Sequence, residues 1–212
     1  MGRKKEISDQ ELASIAREVF FEHGPQVATS VIARAAGVSQ ATLFNRFQNK
    51  HDLMLEAMIP PNISEILRIV QQPVYKRPIP AQLLEKAEKL FMHFKQLEPH
   101  MRFLEHAGLN VKDVLSFHAR KKRTPPPPIL AFQHMTQWLR DAQAEGRMGM
   151  IDAEKFAQLF IGSIHAKLFF HRLHKHFASQ GSQLPEEDEI SIRHHFAGTI
   201  DVLWRGIAPV TG

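Results

Sequence analysis

Cysteine is absent from this chain of 212 residues. Its absence excludes disulfide bonds and metal sites built on thiolates, and it favours a reducing, cytoplasmic location. No apolar run approaches the roughly 20 residues that a membrane-spanning helix needs. The basic N-terminus leads into a polar segment and not into the apolar region of a signal peptide. We therefore expect no membrane partner.

Acidic residues are missing from one window of the sequence. Residues 24–50 contain no Asp or Glu, whereas Arg34, Arg46 and Lys50 in this window are basic. The formal net charge of the whole chain is +5 at pH 7. Because a solvated helical face usually mixes charges of both signs, this window predicts a surface that meets a polyanion such as nucleic acid.

The sequence signatures of catalysis and metal binding are missing as well. There is no glycine-rich phosphate loop and no Gly-x-Ser-x-Gly motif. Thirteen histidines are present, but no two are four residues apart and none follows a glutamate by three. Metal-binding helices favour these spacings. His171 and His174 come closest, and such a pair is more often a surface or pocket feature. We predict no catalytic residue, no metal and no cofactor.

The first element that the sequence predicts is an amphipathic helix near the N-terminus. Ser8 and Glu11 have the spacing of a capping box, and apolar residues follow at helical spacing until Gly24 and Pro25 stop the helix. Ahead of it, basic residues 3–5 form either a disordered tail or an arm that grips phosphate or the minor groove.

Residues 32–47 have the pattern of a short helix, a tight turn and a second short helix. Gly37 can take a positive φ and end the first helix, and Ser39 is a favourable N-cap for the second. On the second helix, Leu43, Phe44 and Phe47 recur at helical spacing and should face the core. The residues left facing outward, whose polar groups suit base edges and phosphates in a major groove, are Gln40, Ala41, Thr42, Asn45 and Arg46.

The run Ala36-Gly-Val-Ser-x-x-Thr-Leu-Phe-x-x-Phe47, followed by Asn49-Lys50 and Leu53, resembles the helix-turn-helix of TetR-type repressors. The resemblance implies an all-α homodimer that binds double-stranded operator DNA through its N-terminal head. The candidate DNA-binding residues are Thr29, Ser30, Ser39, Gln40, Ala41, Thr42, Phe44, Asn45, Arg46 and Lys50.

Three positions depart from the family pattern. Ala28 stands where family members usually carry Ser or Thr, which leaves the role of Thr29 open. Phe44 replaces a usual Tyr and loses the hydroxyl that would touch a phosphate. Arg46 stands where His or another aromatic residue is common, and its cation would restore a phosphate or guanine contact.

The remainder of the sequence reads as helices separated by prolines. We place a domain boundary near Pro60, so that residues 1–59 form the DNA-binding domain and residues 60–212 a helical effector-binding and dimerisation domain. Pro60 and Pro61 predict a kink or a break in the connecting helix, and Pro99 predicts another interruption. Residues 120–128 predict a solvated loop. A second nucleic-acid patch there is the less favoured alternative, because this basic run is far in sequence from the head.

The resemblance also implies that helices of the second domain enclose a small-molecule pocket. Methionine and flat aromatic side chains suit a largely apolar effector. The candidate lining residues are Phe91, Phe94, Met101, Phe103, Met135, Trp138 and His165, and the candidate polar contacts are His93, His134, Gln137 and His165.

The last two helices carry more apolar positions than one buried stripe needs, which predicts a dimer interface. The candidate interface residues are Phe156, Phe160, Ile164, Phe196, Ile200, Leu203 and Trp204. Two functional interpretations remain open. One is a transcriptional regulator, most simply a repressor released by its effector. The other is a helical ligand-binding or enzymatic protein with a vestigial head.

Overall fold

The computed structural model describes residues 7–59, 64–122, 125–178 and 189–205. Within these ranges every regular element is an α-helix, which confirms the predicted fold class. The helices are α1 (Asp9–His23), α2 (Thr29–Ala35), α3 (Gln40–Arg46), α4 (Lys50–Met58), α5 (Glu65–Val70), α6 (Ile79–His106), α7 (Val111–Lys122), α8 (Pro127–Ala144), α9 (Ala153–Ala178) and α10 (Glu189–Arg205). None of the helices in the described ranges is long and apolar enough to cross a membrane. The basic residues 3–5 and the pair Pro60–Pro61 lie outside the described residues.

The chain folds into two compact units. The first, which we call the head unit, is drawn from residues 1–63 and 97–126, and the second, the body unit, from residues 64–96 and 127–212. The head unit therefore includes α7 and the end of α6, which the sequence-based division assigns to the second domain. That functional division stays a prediction.

The head unit is built on one apolar core. The capping box of α1 is present, since the Ser8 N–H donates to Glu11 Oε2 at 2.8 Å and the Glu11 N–H donates to Ser8 Oγ at 3.1 Å. The core then joins residues of α1 to α4 with residues of α6 and α7. Its largest fully buried members are Leu12, Phe20, Ile32, Leu43, Phe47, Leu53 and Phe117.

The body unit has its own core, formed by α5, α8, α9, α10 and the first part of α6. Apolar residues at helical spacing on each of these helices supply it, as expected for packed amphipathic helices. The largest fully buried side chains are Leu83, Leu90, Phe91, Phe160 and Phe196.

Two helices extend further than the sequence predicted. The prediction that Pro99 interrupts the helix is wrong, because α6 continues through this residue to His106. Proline removes one backbone donor from a helix, but burial of Phe103 and Leu104 in the head core offsets that loss. The loop predicted for residues 120–128 is also shorter, since α7 continues to Lys122 and α8 begins at Pro127.

Candidate nucleic-acid interface

A tight turn joins α2 to α3 in the head unit. Gly37 adopts a φ of 65°, where a Cβ is unfavourable, and its N–H donates to the Arg34 carbonyl at 3.1 Å. The Val38 N–H donates to the Ala33 carbonyl at 3.0 Å. Ser39 then caps α3, because its Oγ accepts the Thr42 N–H at 3.0 Å. The predicted helix-turn-helix is therefore formed.

The buried side of this motif is narrower than predicted. Leu43 and Phe47, four residues apart, are fully buried in the head core. Phe44 was predicted to join them, but 42% of its surface is exposed. One residue along a helix is a rotation of about 100°, so Phe44 lies beside the buried stripe and not on it.

The other side of the motif is exposed or half-buried. Gln40 Nε2 donates to Thr29 Oγ1 at 3.2 Å, so the first residues of α2 and α3 lie together. Thr29 is thereby brought to the candidate surface despite the departure at Ala28. The exposed candidates are Ser30, Ser39, Gln40, Ala41, Phe44 and Asn45, and the half-buried ones are Thr29, Thr42, Arg46 and Lys50.

Arg46 does not point outward as predicted. Its Nη1 donates to the Ile7 carbonyl and lies 3.2 Å from Asp9 Oδ1, so that 19% of the side chain remains exposed. The long guanidinium side chain reaches a carboxylate and a backbone carbonyl at the start of α1, which the sequence pattern of α3 alone cannot reveal. Arg46 thus joins the end of α3 to α1.

Lys50 opens α4 directly after the motif. Asn49 caps this helix, since its Oδ1 accepts the Asp52 N–H at 2.8 Å. Lys50 is half-buried, and desolvation lowers the pKa of its ammonium group below the usual value.

The predicted dimer interface is largely inside the body unit. Five of its seven residues are buried in the core of the single chain, and the other two are half-buried against it. The dimer interface stays a prediction, but these residues already face the core of their own chain, because a helix with two apolar sides does not reveal which side does so. The buried residues are Phe156, Phe160, Ile164, Phe196 and Ile200, and the half-buried ones are Leu203 and Trp204.

The predicted effector residues are divided between the two units. Phe91, Met135 and Trp138 are buried in the body core, and the half-buried Phe94 ring stacks on His165 with centroids 4.5 Å apart. Met101 and Phe103 instead pack in the head unit. The structure therefore does not gather all seven residues into one pocket.

The body unit also has a groove of about 380 Å³, and none of the predicted effector residues lines it. It is formed by α6 and α10, and Arg193 Nη1 lies 3.0 Å from Glu88 Oε1 within it. Its lining residues, none of which the sequence predicted, are Glu88, Met92, Ile190, Ile192 and Arg193.

Residues 13–57, which contain the helix-turn-helix, match the family described as "Bacterial regulatory proteins, tetR family". The head is similar to that of the tetR family. The resemblance based on residues 36–53 is thereby confirmed. No curated protein sequence matches the chain.

Solved structures show a similar fold over more than nine-tenths of the chain. The Flavonoid-responsive Regulator FrrA has a TM-score of 0.68 at 18% identity, covering 94% of this chain and 96% of that one. A putative TetR-family regulator from Mesorhizobium loti has a TM-score of 0.63 at 13% identity, with 94% and 96% covered. GusR from Salmonella enterica has a TM-score of 0.59 at 19% identity, with 92% of each chain covered. The helices of the body unit are thus part of the fold that these chains share.

The tetR-type head has two further internal links that the sequence did not indicate. On α1, Arg17 Nη2 donates to the Ile59 carbonyl at 3.0 Å and its Nε donates to the Ala57 carbonyl, so the arginine caps the end of α4. On α4, the buried Asp52 pairs with Arg120 of α7 at 3.0 Å. The sequence offers one sign of such a buried pair, because the charged Asp52 directly precedes the apolar residues 53–55.

Several polar groups are buried in the body unit among or beside the candidate effector residues. Lys86 Nζ donates to the Ile69 carbonyl at 2.9 Å and lies 5.0 Å from the centre of the Trp138 ring. Burial lowers the pKa of Lys86 to about 8. His93 is 3% exposed, and neither of its ring nitrogens has a hydrogen-bond partner among the described residues. The Trp138 Nε1 group is also buried without a partner there.

The other polar candidates have partners on the surface of the body. His134 Nε2 lies 2.9 Å from Gln71 Nε2, and Gln137 Nε2 donates to Asp141 Oδ1 at 2.7 Å. Desolvation lowers the pKa of His165, and the positive charge of Arg172 acts in the same direction. Of the four polar candidates, His93 alone is buried.

Proposed function

We propose that this chain is a homodimeric transcriptional regulator that binds a palindromic operator through its tetR-type head. In its simplest form it is a repressor, and a small, largely apolar effector bound in the body releases it from DNA. The effector would favour a conformation in which the two heads no longer fit successive major grooves, because it binds that conformation more tightly.

One observation carries the DNA-binding part of the proposal. α3 presents Gln40, Ala41 and Asn45 to solvent on the side away from the buried Leu43. An exposed row of small and amide side chains suits a major groove, in which amides pair with adenine and small residues allow close approach. The acid-free window over residues 24–50 avoids repulsion from the flanking phosphates.

The homodimer is supported by apolar residues that the single chain leaves uncovered. Leu159 on α9 is 62% exposed and Val202 on α10 is 73% exposed. Gly162 and Gly198 lie on the same outer sides, where an added Cβ would meet no other atom. A second copy related by a two-fold axis would cover this surface and place two heads on two half-sites.

The effector part rests on the buried polar groups of the body. A buried imidazole without a hydrogen-bond partner is costly, and a ligand that supplies a donor or acceptor would remove that cost. The apolar neighbours Phe91 and Met135 suit the rest of a flat or aliphatic molecule. FrrA is named as responsive to flavonoids, so a panel of flavonoids is a reasonable first set of probes.

The DNA-binding part is tested by selecting duplexes from a random pool with the wild-type protein. We expect an enriched palindrome whose half-sites lie about 10 base pairs apart or a multiple of that. Gln40→Ala should relax discrimination at one base pair per half-site by about 1–3 kcal/mol. Gln10→Ala, the same change at an exposed position of α1, is the control. No enrichment by the wild type would favour the alternative of a helical ligand-binding or enzymatic protein with a vestigial head.

The effector part is tested by the fluorescence of Trp138 in a Trp204→Phe variant, which leaves one tryptophan. A ligand that changes this signal should weaken operator binding, and by linkage the operator should weaken ligand binding by the same factor. A ligand that binds in the body without changing DNA affinity would contradict the coupling.

A further inference from the structure

The last turn of α7 carries two exposed cations, Arg120 and Lys121, and it belongs to the head unit. The Phe117 side chain, one turn earlier, is buried in the same core as Phe47. Arg120 Nη2 lies 3.0 Å from Oδ1 of the buried Asp52 in the first turn of α4. The basic run that is distant from the helix-turn-helix in sequence is therefore adjacent to it in the fold.

Lys121 lies at the end of α3. Its ammonium nitrogen is 5.5 Å from the centre of the Phe47 ring and 5.9 Å from that of Phe117. Phe47 is the residue that ends α3. The two rings attract the cation and limit where its flexible stem can place it, while the side chain remains exposed to solvent.

In the part of the chain that the structure describes, the corner between α3 and α4 carries positive charge that no neighbouring acid cancels. Lys50 begins α4 three residues after Phe47, and the carboxylate of Asp52 is paired with Arg120. Among the described residues, no carboxylate lies within ion-pair distance of Lys121. Lys50 begins α4 and Lys121 lies in the last turn of α7, so these two lysines, 71 residues apart in sequence, both belong to helices that meet the corner between α3 and α4.

We propose that Lys121 binds a backbone phosphate of DNA beside the groove occupied by α3, and that Arg120 holds the first turn of α4 in position for Lys50. The inference rests on the proposed function, because it assumes that α3 enters the major groove. A lysine is a point charge without the planar fork that reads guanine bidentately, so this contact adds affinity for all sequences alike.

The test compares Lys121→Gln with Lys112→Gln. Lys112 is exposed in the first turn of the same helix, nine residues or about 13 Å away along its axis. Both variants lose one positive charge and no ion pair. Binding of the full chain is measured on the selected operator and on a duplex of mixed sequence, over a series of salt concentrations.

We expect Lys121→Gln to weaken binding roughly tenfold per subunit near 0.1 M salt, on both duplexes, and to reduce the slope of log K against log [salt] by about one unit per subunit. Lys112→Gln should leave both quantities close to those of the wild type. The variant Arg120→Gln is a less direct test, because it also leaves the buried Asp52 without its partner and so lowers stability. The double variant Arg120→Gln/Asp52→Asn should restore thermal stability. It should not restore the DNA affinity, because Lys50 is then no longer held in position.

The outcomes separate the inference from the proposed function. If the wild type binds no DNA, the proposed function fails. If the wild type binds and Gln40→Ala relaxes specificity, but Lys121→Gln behaves like Lys112→Gln, the phosphate contact alone is overturned. A loss confined to the operator would also overturn it, because a phosphate contact is independent of sequence.

Discussion

The imidazole of His93 is buried in the body unit with both nitrogens unpaired among the described residues. Desolvation lowers the pKa of His93, and the negative charge of Glu65 opposes this shift more weakly. Above about pH 6.5 the group is neutral in the folded and unfolded states alike. Below that pH the unfolded chain takes up a proton, whereas the folded chain does so only at a lower pH. Stability is therefore lost as the pH falls.

This linkage predicts the effect of one substitution. His93→Leu should make the free energy of unfolding of the body less dependent on pH below about 6.5, by up to about 1.4 kcal/mol per pH unit. Thermal unfolding followed at pH 7.5 and at pH 5 measures the difference. Equal pH dependence in wild type and variant would show that folding does not lower the pKa of His93.

At the scale of elements, the contact between Arg46 and Asp9 connects the recognition helix to the first helix of the head. An ion pair with one half-exposed partner contributes about 0.2–1 kcal/mol, and the bond to the Ile7 carbonyl adds a similar amount. The same guanidinium was predicted to contact DNA. Asp9 neutralises this cation and holds its Nη1 group, so the internal contact competes with a DNA contact.

This competition predicts opposite effects on DNA affinity. Arg46→Met should lower the stability of the head by about 1–2 kcal/mol and weaken DNA binding. Asp9→Asn should cost less than about 1 kcal/mol and strengthen DNA binding, because it releases the cation and removes an acid. Glu22→Gln removes an exposed acid elsewhere on α1 and is the control. If Asp9→Asn affects DNA binding no more than Glu22→Gln, Arg46 serves only to join the two helices.

At the scale of the whole molecule, the dimer depends on which side of α9 and α10 faces outward. Leu159→Glu places a charge on the exposed side, and we expect monomers with an unchanged helical spectrum and weak operator binding. Ile200→Glu places the same charge in the body core, where an unpaired carboxylate should unfold the unit. Sedimentation and circular dichroism distinguish the two results. A wild type that sediments as a monomer at micromolar concentration would contradict the dimer.

Local features of the chain were predictable from the sequence because their causes are local. The capping box at Ser8, the positive φ of Gly37 and the cap at Ser39 depend on residues within three or four positions. The all-α class follows in the same way from helical spacing. The helix-turn-helix and its exposed Gln40 could therefore be predicted before any tertiary contact was known.

Tertiary structure decided the features that depend on distant residues. Periodicity shows that α9 and α10 are apolar on more than one side, but only packing put Phe160 and Ile200 inside and left Leu159 and Val202 outside. Arg46 pairs with Asp9, which is 37 residues away in sequence, and Lys121 lies over the ring of Phe47, which is 74 residues away. Long cationic side chains reach whatever charge or ring the fold brings near them. The physical reason is that burial and pairing energies belong to contacts in space, which helical spacing along one segment does not specify.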